Sequence, residues 1–425
     1  MPVTTETTPL IPHRPQHRSV TRRLTTLVQA EGEPSWYASY KWMLSSWGYL
    51  LLVLVPLTFA ADSAGWDAAL RFSFSGIALI PLATLLGDAT EQMSLSLGQT
   101  LAGLLNATFG NAVEIIVGIT ALLHNQIRIV QASMIGSILS KILLVLGCSF
   151  IAAGMKYRES AFGVAAAQTN GSLMTLACIT IVVPAAYHSA RISHNQPIDI
   201  SVVTAEPEHT GLLIISRGAA LLLLCVYIAY LFFQLKTHSD LFRTQPSLAF
   251  LSYEPGWTSA EAQGTEQEEP EEARMSVVAA GVALLVITVV TSFIADILVA
   301  SIEETATRYN IPKAFIGLVL LPLVGNAPEF TTSVFMAMKG KMELTIGVCV
   351  GSSIQIALFV VPLLVTIGWV SGHDLTLFFD NFETVSFFTS VILVNMLIQD
   401  GKSNYMDGLM LVTLYLVFAL AFWVS

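Results

Sequence analysis

The sequence predicts an all-α polytopic membrane protein with about 11 transmembrane helices. Three observations favour this fold class. Of the 425 residues, 54% are hydrophobic and 12% are charged, against roughly 25% charged residues in an average soluble protein. Eleven apolar stretches come close to the length of about 20 residues that a helix needs to cross a bilayer. A short polar motif occurs in both halves of the chain, which predicts one extra N-terminal helix followed by two inverted five-helix repeats.

The apolar stretches divide the chain into five parts. Residues 1–41 are expected to form a polar cytosolic tail, and 42–61 the first transmembrane helix. The two five-helix repeats are expected at 72–236 and 275–425, joined by an acidic cytosolic linker at 237–274. The eleven predicted spans are 44–60, 72–93, 98–123, 129–154, 161–187, 210–235, 275–300, 312–338, 342–370, 382–399 and 405–424.

Lysine and arginine are distributed unequally between alternate loops. If the N-terminus is cytosolic, the cytosolic side has 13 of the 20 lysine and arginine residues and the opposite side has five. Because cationic loops stay in the cytoplasm, this distribution predicts a cytosolic N-terminus and, with an odd number of spans, a luminal C-terminus. The formal net charge of −10 gives no electrostatic reason to expect nucleic acid as a partner.

An internal duplication supports the two repeats. Residues 110–114 read GNAVE, and 325–329, at an offset of 215 residues, read GNAPE. The same offset joins the GS pairs at 136–137 and 351–352. Because each half has five spans, the second copy is inverted relative to the first. Transporters built from inverted repeats bind their substrate at the bilayer midplane, where interrupted helices expose backbone groups.

The repeated motifs have the chemistry of a cation site. In each copy a glutamate follows an asparagine by three residues, which places both side chains on one helix face. Carboxylate, amide and hydroxyl oxygens are the hard ligands that Ca²⁺ takes. Each motif alone is also compatible with close helix packing. However, inserting an ionisable residue near the membrane centre costs at least about 2.5 kcal/mol of free energy. Because both copies of the repeat have such a residue, a functional role is favoured over a purely structural one. The candidate ligands are Glu114, Glu329, Asn111, Asn326, Ser137 and Ser352.

At these motifs the chain resembles vacuolar-type Ca²⁺/cation–H⁺ exchangers, the CAX family of the calcium/cation antiporter superfamily. The resemblance extends over 42–424 and includes the stretches at 128–137, 351–358 and 397–404. It implies a secondary antiporter that moves cytosolic Ca²⁺, or Mn²⁺, into an acidic vacuole-like store in exchange for H⁺. Alternating access at a midplane site is the implied mechanism.

The resemblance also implies roles for individual residues. Glu114 and Glu329 would carry both the cation and the protons, and Glu91, at an acidic position of the family, would take part in proton coupling. Gln131 and Gln355 would complete the cation site.

The acidic pattern of residues 6–11 fits a dileucine sorting signal, in agreement with a vacuole membrane location.

Three residues depart from the family pattern. Phe330 stands where the family usually has histidine, and Pro328 replaces a small aliphatic residue, which leaves the preference between Ca²⁺ and Mn²⁺ open. Lys141 stands where asparagine is more common. It has two interpretations: an ion pair with a buried carboxylate, or extension of the side chain to the cytosolic edge. We expect the second.

Further acidic residues are candidates for a cation vestibule or sensor. The acidic linker lies on the predicted cytosolic side, which favours a role in collecting cations and an additional linker-bound Ca²⁺. The alternative is a solvated run of charges with no binding role. Asp88 and Glu303 could belong to a proton path or cation vestibule, and a simple position at a helix end in the membrane interface is an equally good interpretation. The vestibule or sensor candidates are Glu261, Glu266, Glu268, Glu269, Glu271, Glu272 and Glu304.

Two alternative functions remain open from the sequence. A Na⁺-coupled cation/Ca²⁺ exchanger of the same superfamily is the nearer one, and a cation channel is the more distant. An enzyme is not predicted, since motifs of intramembrane or hydrolytic enzymes such as HExxH and GxSxG do not occur in the sequence. The expected partners are Ca²⁺, H⁺ and membrane lipid, with no cofactor, and the sequence leaves the oligomeric state open.

Overall fold

The computed structural model describes residues 36–45, 47–97, 99–194, 206–238 and 274–424. Most of the predicted tail and linker, including the sorting pattern and the six linker glutamates, lies outside the described part of the chain.

The first half of the chain consists of helices joined by short turns. A 3-10 helix, Trp47–Val53, runs directly into α2. Helix α6 contains a π-helical turn at Ser140–Val145, and α8 continues as a π turn at Phe233–Thr237. The helices are α1 Trp36–Met43, α2 Leu54–Ser63, α3 Ala68–Leu97, α4 Gln99–Phe109, α5 Ala112–Leu123, α6 Ile127–Gly154, α7 Val164–His194 and α8 Glu206–Phe232.

The second half repeats the order of α3 to α8. Helix α10 contains a π turn at Ile316–Leu320, and α12 contains π turns at Gly347–Gly351 and Ile356–Val360. Two short strands, β1 Ser160–Ala161 and β2 Lys402–Ser403, pair in antiparallel register between the halves. The helices are α9 Val277–Tyr309, α10 Lys313–Gly325, α11 Ala327–Met338, α12 Met342–Ser371, α13 Asn381–Ile398 and α14 Tyr405–Val424.

The helices confirm the predicted membrane fold. Within the described ranges, eight helices are long and apolar enough to cross a bilayer. Two further pairs, α4 with α5 and α10 with α11, are bent by 48° and 57°, and counting each as one span gives ten. A shorter apolar helix, Leu50–Ser63, lies where the first span is predicted. The count of eleven therefore stays a prediction, whereas the helical class and the duplicated broken span are observed.

Polar contacts between loops agree with the predicted alternation of the spans. Segments that the alternation assigns to the same side of the membrane contact one another, and each end of the molecule has its own set of such contacts. One end has the ion pairs Arg71–Glu304, Arg128–Asp380, Arg217–Asp374 and Arg308–Asp67. The other end has the ion pair Lys402–Glu159 and the hydrogen bond from Lys156 to the carbonyl of Met338.

Small residues bring the two repeats into close contact. Helices α3 and α9 pack along each other, and α6 crosses α10, where Gly136 faces the backbone of Leu318 and Gly317 faces Ala132. Close approach through glycine is the usual solution in a membrane, where lipid tails remove the hydrophobic force between helices. The crossing holds the broken helices of both repeats around one centre.

Candidate functional site

Each broken span places a carboxylate at the start of a half-helix. Asn111, with φ −117° and ψ 26°, separates α4 from α5, and Asn326, with φ −88° and ψ 5°, separates α10 from α11. Glu114 and Glu329 lie in the first turns of α5 and α11. The free N–H groups and the dipole at a helix N-terminus favour negative charge there, so the local fold stabilises both carboxylates.

The two carboxylates share one partner, Lys141. Its Nζ donates to Glu114 Oε1 at 3.0 Å and to Glu329 Oε1 at 2.7 Å, and it lies 3.5 Å from Asn111 Oδ1. The lysine side chain has no exposed surface, while the side chains of Glu114 and Glu329 are 6% and 19% exposed. The arrangement is an ion triad that joins the two repeats.

The prediction that Lys141 reaches the cytosolic edge is wrong. Lys141 lies in the π turn of α6, thirteen residues before the helix ends at Gly154, which corresponds to about 20 Å. A four-carbon side chain does not span that distance. Because α5 and α11 bring two carboxylates beside the π turn, the ammonium pairs with them instead.

The asparagines tie each broken helix to the opposite repeat. Asn111 donates from Nδ2 to Gln355 Oε1 at 2.7 Å, and Asn326 donates from Nδ2 to the carbonyl oxygen of Ser137 at 3.2 Å. Gln355 belongs to the second repeat and Ser137 to the first. Each asparagine thus donates across to the other repeat, Asn111 to a side-chain oxygen and Asn326 to a backbone carbonyl.

Two buried oxygens at this centre have no donor among the described residues. They are Asn326 Oδ1 and Glu329 Oε2. A buried acceptor without a partner costs about 1–3 kcal/mol, and a cation is one partner that removes this cost. In the described part of the chain no three His, Cys, Asp or Glu side chains form a metal-binding group. A bound cation would therefore rely on two carboxylates together with neutral oxygens.

The structure brings together most of the expected ligands but not Gln131. Ser137 lines a small cavity next to Glu114, and Ser352 lines a larger one with Gln355. Gln131 instead donates to the carbonyls of Thr376 and Phe378, both at 2.9 Å. It precedes Lys141 by ten residues on α6, about 15 Å, and serves to hold the 376–378 segment.

A cavity of about 780 Å³ leads to the carboxylate pair from one side. Its wall includes Glu114, Glu329 and Glu91, and it extends to Gly163 and Gln234. Those last residues lie at the end of the molecule that contains Lys156 and Lys236, the predicted cytosolic end. Glu91 therefore lies in the wall of the cavity that leads to the carboxylate pair, and its part in proton coupling stays a prediction.

On the other side of the pair the described helices pack closely. A cavity of about 20 Å³ lies there, next to Glu114 and Ser137. This small cavity is bounded mainly by apolar side chains, including Leu79, Val117, Met134, Leu298, Leu321 and Val324. Among the described residues, the large cavity thus reaches the carboxylates from one side, and the small apolar cavity lies on the other.

The structure places Glu304 away from the large cavity and adds Glu343, which was not a candidate, to its wall. Glu304 pairs with Arg71 at 2.9 Å, and Arg71 precedes Glu91 on α3 by twenty residues, about 30 Å, so Glu304 lies at the end opposite the large cavity. Glu343, which sequence reasoning missed, lines that cavity. The sequence signal that could have identified Glu343 is its position in the first turn of α12, directly after the short cationic turn of 339–341.

The sequence pattern of the sodium/calcium exchanger protein family matches residues 68–236 and 279–424. The chain belongs to this family. Both matched regions contain one broken span, so the family membership covers the whole ion triad. As a sodium/calcium exchanger family protein, the chain is a transporter, and the resemblance drawn from the motifs is confirmed.

Two relatives and one solved structure are similar over nearly the whole chain. The vacuolar calcium ion transporter of Schizosaccharomyces pombe is 41% identical over 382 residues, covering 90% of this chain and 85% of the relative. The vacuolar cation/proton exchanger 2 of Oryza sativa subsp. japonica is 40% identical, covering 90% and 81%. The crystal structure of the Ca²⁺/H⁺ antiporter protein YfkE has a TM-score of 0.69 at 28% identity and covers 89% of this chain and 99% of its own.

Proposed function

We propose that this protein is a secondary active antiporter that moves cytosolic Ca²⁺ into an acidic store in exchange for H⁺. The carboxylate pair Glu114 and Glu329 carries the proposal, because one member comes from each inverted repeat and both face a cavity that reaches one side. The similarity to a vacuolar calcium ion transporter, a vacuolar cation/proton exchanger and the Ca²⁺/H⁺ antiporter YfkE supports it.

Exchange follows from competition for the same oxygens. A carboxylate holds either a proton or a share of Ca²⁺, so protons that arrive from the acidic side release the ion, and Ca²⁺ that arrives from the other side releases protons. Each pH unit across the membrane is worth about 1.36 kcal/mol per proton. A store two units more acidic than the cytosol therefore supplies about 2.7 kcal/mol for each proton returned.

Coupling requires that the triad, which has one net negative charge when it holds neither Ca²⁺ nor a proton, does not cross between states in that condition. Uncompensated charge at the membrane centre is costly, whereas a pair holding Ca²⁺ or protons is compensated and can be exposed alternately as the repeats move. Neutral ligands complete the cation site: Asn111 and Asn326 next to the carboxylates, with Ser137 and Gln355 beside them.

We further propose the vacuole membrane as the location, with the N-terminus cytosolic and the C-terminus luminal. The large cavity then opens to the cytosol, the solution from which Ca²⁺ is taken up. The support is the excess of lysine and arginine at that end and the similarity to vacuolar transporters. A Na⁺-coupled exchanger is the second candidate, because the matched family is described by sodium/calcium exchange.

The test is uptake of ⁴⁵Ca²⁺ by the purified full chain in sealed liposomes. Three conditions are compared: an acidic interior, an outward Na⁺ gradient at equal pH, and neither. We expect uptake with the acidic interior only, and its loss when a protonophore removes the pH difference. Uptake that follows the Na⁺ gradient at equal pH would replace the proposal with Na⁺ coupling.

A further inference from the structure

We propose that Lys141 is a tethered cation that competes with the transported ion for Glu114 and Glu329, and so sets the affinity of the site for divalent cations. The inference rests on the proposed function, because it takes this carboxylate pair to be the transport site. In this proposal a single side chain, from the first repeat alone, sets the affinity of the site for divalent cations.

The ammonium contacts the same atoms that an ion would need. Lys141 Nζ lies 3.0 Å from Glu114 Oε1 and 2.7 Å from Glu329 Oε1. Calcium ions bind carboxylate oxygens at about 2.3–2.6 Å, so an ion that bridges these two oxygens occupies nearly the space of the ammonium. The two cations exclude one another, and Ca²⁺ enters by displacing the lysine.

Charge leads to the same conclusion. Two carboxylates and one ammonium leave the triad with one negative charge. If Ca²⁺ were added without displacement, the buried centre would become positive, and an unbalanced buried charge is strongly unfavourable. The adjoining cavity of about 780 Å³, with Asp88, Glu91 and Glu343 in its wall, gives a displaced ammonium an acidic space to enter.

The second repeat has an apolar residue at the position equivalent to Lys141. At the repeat offset of 215 residues from Lys141 stands Ile356, and both residues lie near the start of a π turn. Ile356 is fully buried, so an apolar side chain fills the equivalent position of the second repeat. Only one copy of the repeat brings a positive charge to the pair.

The test is equilibrium binding of ⁴⁵Ca²⁺ to the purified full chain at one fixed pH. We expect Lys141→Gln to bind Ca²⁺ at least tenfold more tightly than the unmodified protein, equivalent to about 1.4 kcal/mol. Lys141→Arg, which keeps the charge, should bind no more tightly. Lys156→Gln, which removes a lysine bound to the Met338 carbonyl at the end of the molecule, should stay within twofold. A Lys141→Gln affinity within twofold of the unmodified protein would overturn the inference.

A second measurement needs no variant and so does not depend on folding of Lys141→Gln. The unmodified protein is treated with a small amine-reactive reagent with and without Ca²⁺, and labelling of Lys141 is read by peptide mass spectrometry. We expect Ca²⁺ to raise labelling of Lys141 severalfold while Lys156 stays constant. Unchanged labelling at saturating Ca²⁺ would show that the ammonium is not displaced.

The two proposals fail in distinguishable ways. If liposome uptake does not follow the pH gradient but Lys141→Gln still tightens Ca²⁺ binding, proton coupling is wrong and the competition stands. If uptake follows the pH gradient and Lys141→Gln leaves the affinity unchanged, the antiporter stands and the role of Lys141 is wrong.

Discussion

At the residue scale, each carboxylate of the triad is held by a helix N-terminus and by the shared ammonium of Lys141. We predict that Glu114→Gln and Glu329→Gln each reduce pH-driven ⁴⁵Ca²⁺ uptake to background, because an amide keeps the shape but loses the charge that binds Ca²⁺ or a proton. Glu304→Gln is the matched control, since Glu304 pairs with Arg71 at the other end of the molecule. Substantial uptake by either site variant, at equal amounts of inserted protein, would refute the shared site.

The two candidate glutamine residues are expected to have different roles, one in cation binding and the other in stabilising a loop. Gln355 accepts a hydrogen bond from Asn111 within the site, whereas Gln131 holds the 376–378 segment. We expect Gln355→Ala to raise the Ca²⁺ concentration needed for half-maximal uptake. Gln131→Ala should leave that concentration unchanged and lower thermal stability in detergent, because each lost hydrogen bond contributes about 0.5–1.5 kcal/mol. A higher Ca²⁺ concentration for half-maximal uptake by Gln131→Ala, with no change for Gln355→Ala, would show that Gln131 belongs to the site.

At the element scale, the crossing of α6 and α10 depends on one member of a repeated glycine pair. A Cβ atom added at Gly136 would lie 2.7 Å from the backbone C and Cα of Leu318, whereas one at Gly351 meets no described atom within 4 Å. We predict that Gly136→Ala destabilises the protein by about 1–3 kcal/mol, the usual range for overpacking, and that Gly351→Ala does not. The check is the midpoint of thermal unfolding in detergent, where equal midpoints for the two variants would contradict the close crossing.

At the scale of the whole molecule, the acidic linker and the large cavity lie on the same predicted side of the membrane. We predict that replacing the six glutamates within 261–272 by glutamine weakens the apparent Ca²⁺ affinity for uptake and largely keeps the maximal rate, because the triad is untouched. The measurement is initial ⁴⁵Ca²⁺ uptake against Ca²⁺ concentration. An unaltered curve would leave the linker as a solvated charge run.

The sequence by itself determined the helical membrane class, the two inverted copies, and the placement of Glu114 and Glu329 at broken helices. The inverted copies follow from a motif repeated at an offset of 215 residues. The rest are local properties: apolar run length sets a span, a Gly-Asn step interrupts a helix, and a carboxylate three residues after the asparagine falls in the first turn of the next helix. No knowledge of neighbours is needed to deduce them.

Only the tertiary structure decided where the long polar side chains of α6 point. Gln131 and Lys141 lie on one helix, yet the first binds the 376–378 segment and the second binds both carboxylates. Glu343 likewise joins the cavity because α12 packs there, and Glu304 is taken by Arg71. A flexible side chain finds its energy minimum at whichever opposite charge or acceptor lies within reach, and that is set by helices far away in the sequence.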